Sequence, residues 1–574
     1  MEAQQSTAEF FAPSQAALTV LDAAKDQWAQ TTVAERLTIL QEIKDALVQV
    51  APGWVAAATR AKQLPADSPL QGEEWLSGPY ALMGACNGLM QTLSEMDGKA
   101  FLDGLPKRKL VTGQTAVKVT PHSIWDRLLL SGVQAEIWMQ PGVTEENLPA
   151  HAATLYDSPR ADRKGKVSLV LGAGNIAAIA PLDAFQKLFV ENQVVILKMN
   201  PVNDYLTDYL CAALRPLIDR DALRIVKGGG DVGAWLTEHP VVEEIHITGS
   251  EVTHDAIIWG VGEEGRANRE ARTPRVDKRI TSELGAVCPT IVVPGNWSEA
   301  DIRFQAENLA TQKLHNSGFN CVACQALLMP RGWKQGEALL QALQKIMGES
   351  QRLAYYPGAE DRLGAFRGHG QRISSVSRGK APPVIFTRLE DDPWFCENEV
   401  FAPALSTHEL EAKNAEQYLK SAIDYANENL HGTLGANIVI HPSTLKEIGR
   451  ERFEALIGEL RYGTIAINAW TGLGFLMTVC PWGAFPGHTL EDVQSGIGTV
   501  HNTFMLEGVE RTVVEAPFRP FPRSAMAGSL TLLPRPPWFI TNRRQHEVGR
   551  LLTLFQYRPG WLKLPRIFLN ALLG

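Results

Sequence analysis

The chain has 574 residues, a formal net charge of −8, and a composition that is 45% hydrophobic and 21% charged. That length exceeds one ordinary domain, and an acidic chain with a pI near 6.0 gives nucleic acid no electrostatic footing. MEAQQSTAEFF reads as no signal peptide, no apolar run reaches the roughly 20 residues of a spanning helix, and seven scattered cysteines read as reduced thiols of a cytoplasmic protein.

In chain order, residues 15–63 carry apolar positions at three- and four-residue spacing and are expected to be helical. Residues 108–142 change to short β-like pieces, AVKVTPH and VQAEIWMQPG, expected as a projecting hairpin. From 167 strands and helices alternate. KVSLVLGAG, QVVILKMN, ALRIVKGGG and VEEIHITGS read as buried strands, with LDAFQKLFVEN, YLTDYLCAALRPLI and DVGAWLTEH as the helices between them. Such repeats predict a parallel, doubly wound sheet with its ligand crevice beyond the strand C-termini. Residues 251–280, polar and charge-rich, are expected as a loop insertion, and a second α/β region runs from 283 to about 498. After 515 proline, arginine and aromatics dominate: residues 516–574 hold nine Arg or Lys and one acid, Glu547, interleaved with Trp538, Phe539, Phe555, Tyr557, Trp561 and Phe568.

HNSGFNCVAC, residues 315–324, places Cys321 and Cys324 on a glycine- and asparagine-rich turn. A zinc site needs about four ligands, yet there is no second Cys-x-x-Cys. A thioredoxin-like pair belongs early in a small βαβ fold, so neither a metal site nor a redox pair is expected, and one nucleophile (Cys321) beside a neighbour (Cys324) stays open as a reading.

GNI at 174–176, ILK at 196–198, ITGSEV at 247–252, SELG at 282–285, NSGFNC at 316–321, EVFAP at 399–403 and PWGAFPG at 481–487 occur in the order shown by the aldehyde dehydrogenase superfamily. The chain resembles that family over roughly residues 15–505. The resemblance implies a doubly wound coenzyme domain over 1–282, an α/β catalytic domain over 283–498, an oligomerisation strand over 499–515 and, outside the family pattern, the basic aromatic tail 516–574. It implies Cys321 as nucleophile, Asn175 as side-chain donor to the oxyanion and Glu283 as the base that activates water. Lys198, Gly249, Ser250, Glu399 and Phe401 become coenzyme contacts, and the strand within HNTFMLEGVERTVV (501–514) pairs across the interface of a homodimer.

The chemistry stands without the family. An aldehyde carbon releases hydride once a nucleophile makes it tetrahedral, and a thiolate suits that task. The resulting oxyanion needs donors in place where its charge develops, and the thioester left behind needs an activated water. Each residue also has a plainer role open to it. Cys321 could be a buried hydrophobe, Asn175 a cap or turn, and Glu283, Glu399 and Lys198 strand-end charges; Gly249 and Ser250 could merely close a strand.

Departures from the pattern bear on substrate and coenzyme. Phe319 stands where the family usually has glutamine, and Gly174-Asn175-Ile176-Ala177 is smaller than the usual tryptophan-containing motif. Pro201 replaces an acidic residue that would repel a 2′-phosphate, so NAD and NADP both stay open. The favoured activity is NAD(P)-dependent oxidation of an aldehyde to the free acid. The alternatives are a CoA-linked acylating dehydrogenase or acyl-CoA reductase, since GNI resembles those reductases, and a membrane-associated non-catalytic scaffold. The tail reads either as an arm on a partner subunit or as a peripheral contact with an anionic membrane face, the latter implying long-chain aldehydes.

Overall fold

Short, almost wholly buried apolar runs form the central strands, because both faces of the sheets are covered there by helices. The computed structural model describes residues 2–519 and 535–574, so the 520–534 part of the tail lies outside the described residues. Two sheets carry the chain. The first has six strands in the order Gly496–Ile497, Arg279–Leu284, Glu244–Gly249, Val167–Leu171, Val194–Lys198, Leu223–Val226, parallel except for the first. The chain enters at Val167–Leu171, winds outward one way to Leu223–Val226, then returns to Glu244–Gly249 on the other side. That reversal opens a crevice beyond the C-termini of the 167–171 and 244–249 strands.

The second sheet has eleven strands. Its parallel centre includes Cys288–Val292, Cys324–Pro330, Ala404–Leu410, Gly435–Val439 and Thr464–Ile467. Arg279–Leu284 therefore belongs to the first sheet, and Glu283, near its C-terminal end, stands where the chain passes to the second.

Three expectations need correction. Residues 251–280 hold two helices, Glu251–Ile258 and Gly262–Ala271, and are not a loop. Ser250 caps the first by accepting from the Thr253 N–H, while GEEGRANREA buries only Gly265 and so shows no apolar stripe. The hairpin region contains a helix, Ile124–Leu129, between Thr115–Thr120 and Gln134–Met139, started by a Ser123–Asp126 capping box. Finally, Val509–Glu515, expected to pair across a subunit interface, finds strand partners within its own chain. It pairs parallel with Thr464–Ile467 and antiparallel with Gln134–Met139, so both of its edges are taken within the chain.

The N-terminal helices Glu2–Ala29 and Val33–Ala61, the second begun by a Thr32–Glu35 capping box, pack on the first sheet and its helices. The tail returns to them. Helix Gln545–Tyr557 crosses Gln71–Trp75 so closely that a Cβ on Gly72 would lie 2.3 Å from the Gln545 carbonyl carbon. Only glycine permits that approach. Trp538, Phe539 and Phe555 are buried in their own chain, whereas Trp561 stays 62% exposed.

Candidate active site

The parallel strands of the first sheet end on the crevice side, which is why sequence-distant residues meet there. One cavity of about 730 Å³ is lined by all eight residues singled out in the sequence: Asn175, Lys198, Gly249, Ser250, Glu283, Cys321, Glu399 and Phe401.

Cys321 sits, partly exposed, just beyond a turn in which Asn316, Ser317 and Gly318 take left-handed φ values of 52°, 58° and 85°. Gly318 has no room for a side chain, since a Cβ would meet the Ala402 carbonyl oxygen at 2.9 Å. Phe319, the departure from the family pattern, is fully buried among Tyr355, Tyr356 and Phe401 and anchors the turn from beneath. Asn175 reaches this turn directly: its Nδ2 donates to the Phe319 carbonyl at 3.0 Å. The acceptor there fixes which end of the carboxamide is nitrogen and leaves its second N–H unused by that bond.

Both carboxylate oxygens of Glu283 are buried without a hydrogen bond of good geometry, with the Cys321 thiol and the Trp482 indole beside them. Burial, with the charge of Asp183, pushes the Glu283 pKa up to about 7. Burial and the Glu283 carboxylate push the Cys321 thiol well above its ordinary value. The resting proton therefore belongs on sulfur, next to a carboxylate poised to titrate near neutrality.

Glu399 and Lys313 form a buried pair of opposite charge near the nucleophile turn; burial drives the carboxylate up and the ammonium down. A Cβ on Gly285, the glycine of SELG, would fall 2.0 Å from Glu399 Oε2, so this glycine is what lets Glu399 approach. Lys198 is buried at the end of its strand, and burial lowers its pKa. Ser250 and Thr253, at the start of helix Glu251–Ile258, also face the cavity.

Arg362 and Tyr356 line the cavity too, and the sequence reading missed them. Arg362 lies 5.8 Å over the Phe401 ring and its Nε donates to the Phe401 carbonyl at 3.2 Å, holding that residue at a φ of 42°. Arg362 lies on a charged helix, Ala359–His369, with no motif to mark it. Cys324 is buried at the start of its strand, opposite Cys288.

The strand ends of a doubly wound sheet thus meet a cysteine turn from a second α/β region. The aldehyde dehydrogenase family pattern matches residues 175–354, the stretch that contains Asn175, Glu283 and Cys321. N-succinylglutamate 5-semialdehyde dehydrogenase 1 of Caulobacter vibrioides is 29% identical over 206 residues, 32% of this chain and 40% of that protein. Betaine aldehyde dehydrogenase of Brucella anthropi is 24% identical over 302 residues, 48% of this chain and 53% of that protein. The aligned stretches thus span about half the length of these relatives, or less. The aldehyde dehydrogenase KauB of Pseudomonas aeruginosa superposes with a TM-score of 0.55 at 16% identity, covering 88% of this chain and 89% of its own. An indole-3-acetaldehyde dehydrogenase in complex with NAD+ gives a TM-score of 0.55 at 16% identity, covering 88% of each chain. Residues 175–354 are thus similar to the aldehyde dehydrogenase family, and the fold of the chain is similar to that of solved aldehyde dehydrogenases.

Proposed function

We propose that this chain oxidises an aldehyde to a carboxylic acid with NAD or NADP. The observation that carries the reading is the convergence of Cys321, Asn175 and Glu283 on one cavity with five further polar, glycine and aromatic positions suited to a dinucleotide. A bound nicotinamide coenzyme supplies the hydride acceptor. The chain has a fitting cradle for it: a buried cation at Lys198, the capped N-terminus of helix Glu251–Ile258 for phosphate, and Glu399 with one buried, unbonded oxygen for a ribose hydroxyl.

The protein's own steps follow from the geometry. Glu283 accepts the thiol proton, and Cys321 sulfur bonds to the aldehyde carbon. The carbonyl π pair moves onto oxygen, where the free N–H of Asn175 meets it. Loss of hydride from that carbon leaves an acyl thioester on Cys321. Glu283 first gives up the thiol proton to solvent and then takes one from water, which adds to the thioester carbon; the acid leaves, and that proton restores the thiol.

Retention of Glu283 supports hydrolysis over transfer to CoA, because a thiol acceptor needs no water-activating base. Coenzyme reduction over aldehydes of rising chain length, with and without CoA, tests both points. Acid formed without CoA supports the reading, and strict CoA dependence contradicts it. Pro201, exposed beside Lys198, supports acceptance of NADP; a preference for NAD above about 100-fold in kcat/KM would overturn that.

The tail supports a hydrophobic substrate delivered at a membrane face. Leu562, Leu569, Leu572 and Leu573 are exposed on the outside of Leu564–Leu572 and its flanks, with Arg558, Lys563 and Arg566 nearby. Trp561 packs 4.8 Å from Trp125 of the Ile124–Leu129 helix, whose Ile124 is also exposed. Among the described residues no helix is long and apolar enough to cross a membrane, so contact would be at the surface. Sedimentation with phosphatidylserine vesicles, weakened by Leu569→Glu with Leu572→Glu, is the expected result; equal sedimentation of wild type and variant would remove this part.

A further inference from the structure

Beneath the nucleophile turn lies a cluster of four charges that the reaction does not touch. Lys62, Glu73, Glu74 and Arg352 are each 1–2% exposed. They come from the end of helix Val33–Ala61, from helix Gln71–Trp75, and from the chain beyond helix Gly336–Glu349. Lys62 Nζ is 2.9 Å from Glu74 Oε2, Arg352 Nη2 donates to Glu74 Oε1 at 3.2 Å, and Arg352 also pairs with Glu73. Burying ion pairs adds little to stability compared with apolar packing, so their targets are informative.

Those targets are the backbone of the oxyanion donor and the turn before the nucleophile. Lys62 Nζ donates to the Asn175 carbonyl at 2.9 Å. The Asn316 side chain donates to that same carbonyl at 3.2 Å and to the Phe319 carbonyl at 3.0 Å. Glu73 accepts from the Asn316 N–H at 3.0 Å, while Arg352 and Tyr355 donate to Asn316 Oδ1 at 3.1 and 3.0 Å. Tyr355 OH also stands 3.2 Å from the Asn175 carbonyl, with one proton to serve either acceptor. The turn they hold is left-handed at Asn316 and Ser317, which non-glycine residues adopt only when surrounding contacts enforce it.

We infer that Lys62, seconded by Tyr355, is a positioning residue that fixes Asn175 against the cysteine turn so that its free N–H meets the oxyanion. This rests on the reading of Asn175 given above and extends it to a cluster on the N-terminal helices.

The test uses the full chain and p-nitrophenyl acetate, which needs sulfur and an oxyanion donor but no coenzyme. Cys321 sulfur bonds to the acetyl carbon, p-nitrophenolate leaves, and water releases acetate. Lys62→Met should lower kcat about 10- to 100-fold in the wild-type background and less than about twofold on top of Asn175→Ala, because both changes remove the same service. Coenzyme affinity and the rate of Cys321 alkylation by iodoacetamide should stay within about twofold. Tyr355→Phe, a milder change, should give the same pattern at about 3- to 10-fold and serves if Lys62→Met does not fold. Equal losses in both backgrounds, or no loss in either, would overturn the inference. Ester hydrolysis without aldehyde oxidation in the wild type would sink the proposed function while leaving this test intact; absence of both activities overturns both.

Discussion

A thiol held protonated by burial and by a neighbouring carboxylate has that same carboxylate as its nearest base. With the Glu283 pKa at about 7, turnover should rise with pH through that value and level off above it. Glu283→Gln should abolish that limb and slow turnover by about 10²–10⁴-fold. The stability effect runs oppositely. Because the folded-state pKa lies above the ordinary 4.5, the fold favours the protonated form; that stabilisation is complete below about 4.5 and is lost as pH rises through about 7. Glu283→Gln should therefore melt higher than wild type at pH 8, with the gap closing by pH 5; a gap independent of pH would contradict the buried charge. Cys321→Ala should lower kcat by about 10³-fold or more, and Cys324→Ala by less than about twofold, since Cys324 packs in the apolar core and does not line the cavity. The residues carrying this chemistry were legible because each terminates or follows a recognisable strand or turn. Lys62, Glu73, Glu74 and Arg352 were not, since in sequence each is an ordinary charge in a helix or loop, and only the tertiary packing buries them.

At the scale of elements, the site depends on how closely two strand ends approach. Gly285 follows the last strand leaving the first sheet, and Glu399 belongs to the second region. Gly285→Ala should push Glu399 aside and raise the coenzyme KM about 10- to 100-fold while leaving Cys321 alkylation unchanged; an unchanged KM would remove Glu399 from the coenzyme site. Helices were read well where an apolar stripe marked them, as in Val33–Ala61. They were missed at Gly262–Ala271, whose surface is polar all round, and at Ile124–Leu129, whose side chains are all at least partly exposed. Ser123 was the one capping signal for these two, weak without a following stripe, since Gly262–Ala271 starts at Val261 with no capping side chain.

For the whole molecule, the eleven-stranded sheet is continuous within one chain, because Val509–Glu515 bridges Gln134–Met139 and Thr464–Ile467. Pairing partners of a strand depend on tertiary context, so the alternation in HNTFMLEGVERTVV could announce a strand but not its neighbour. Amide exchange over 509–515 should be equally slow at low and high protein concentration. Protection that falls on dilution would mean the strand is traded between copies. The docking of helix Gln545–Tyr557 on Gln71–Trp75 likewise ties the tail to the helices that bear Lys62, Glu73 and Glu74. Tail and active site are thus joined through one layer of packing.

The covalent step is most directly read by mass. The wild-type chain, mixed with an aldehyde and NAD or NADP and quenched in acid during turnover, should carry on the peptide containing Cys321 the mass of the aldehyde less two hydrogens, the signature of an acyl thioester. No adduct with any aldehyde, or an adduct on Cys324 instead, would contradict the chemistry assigned to this site.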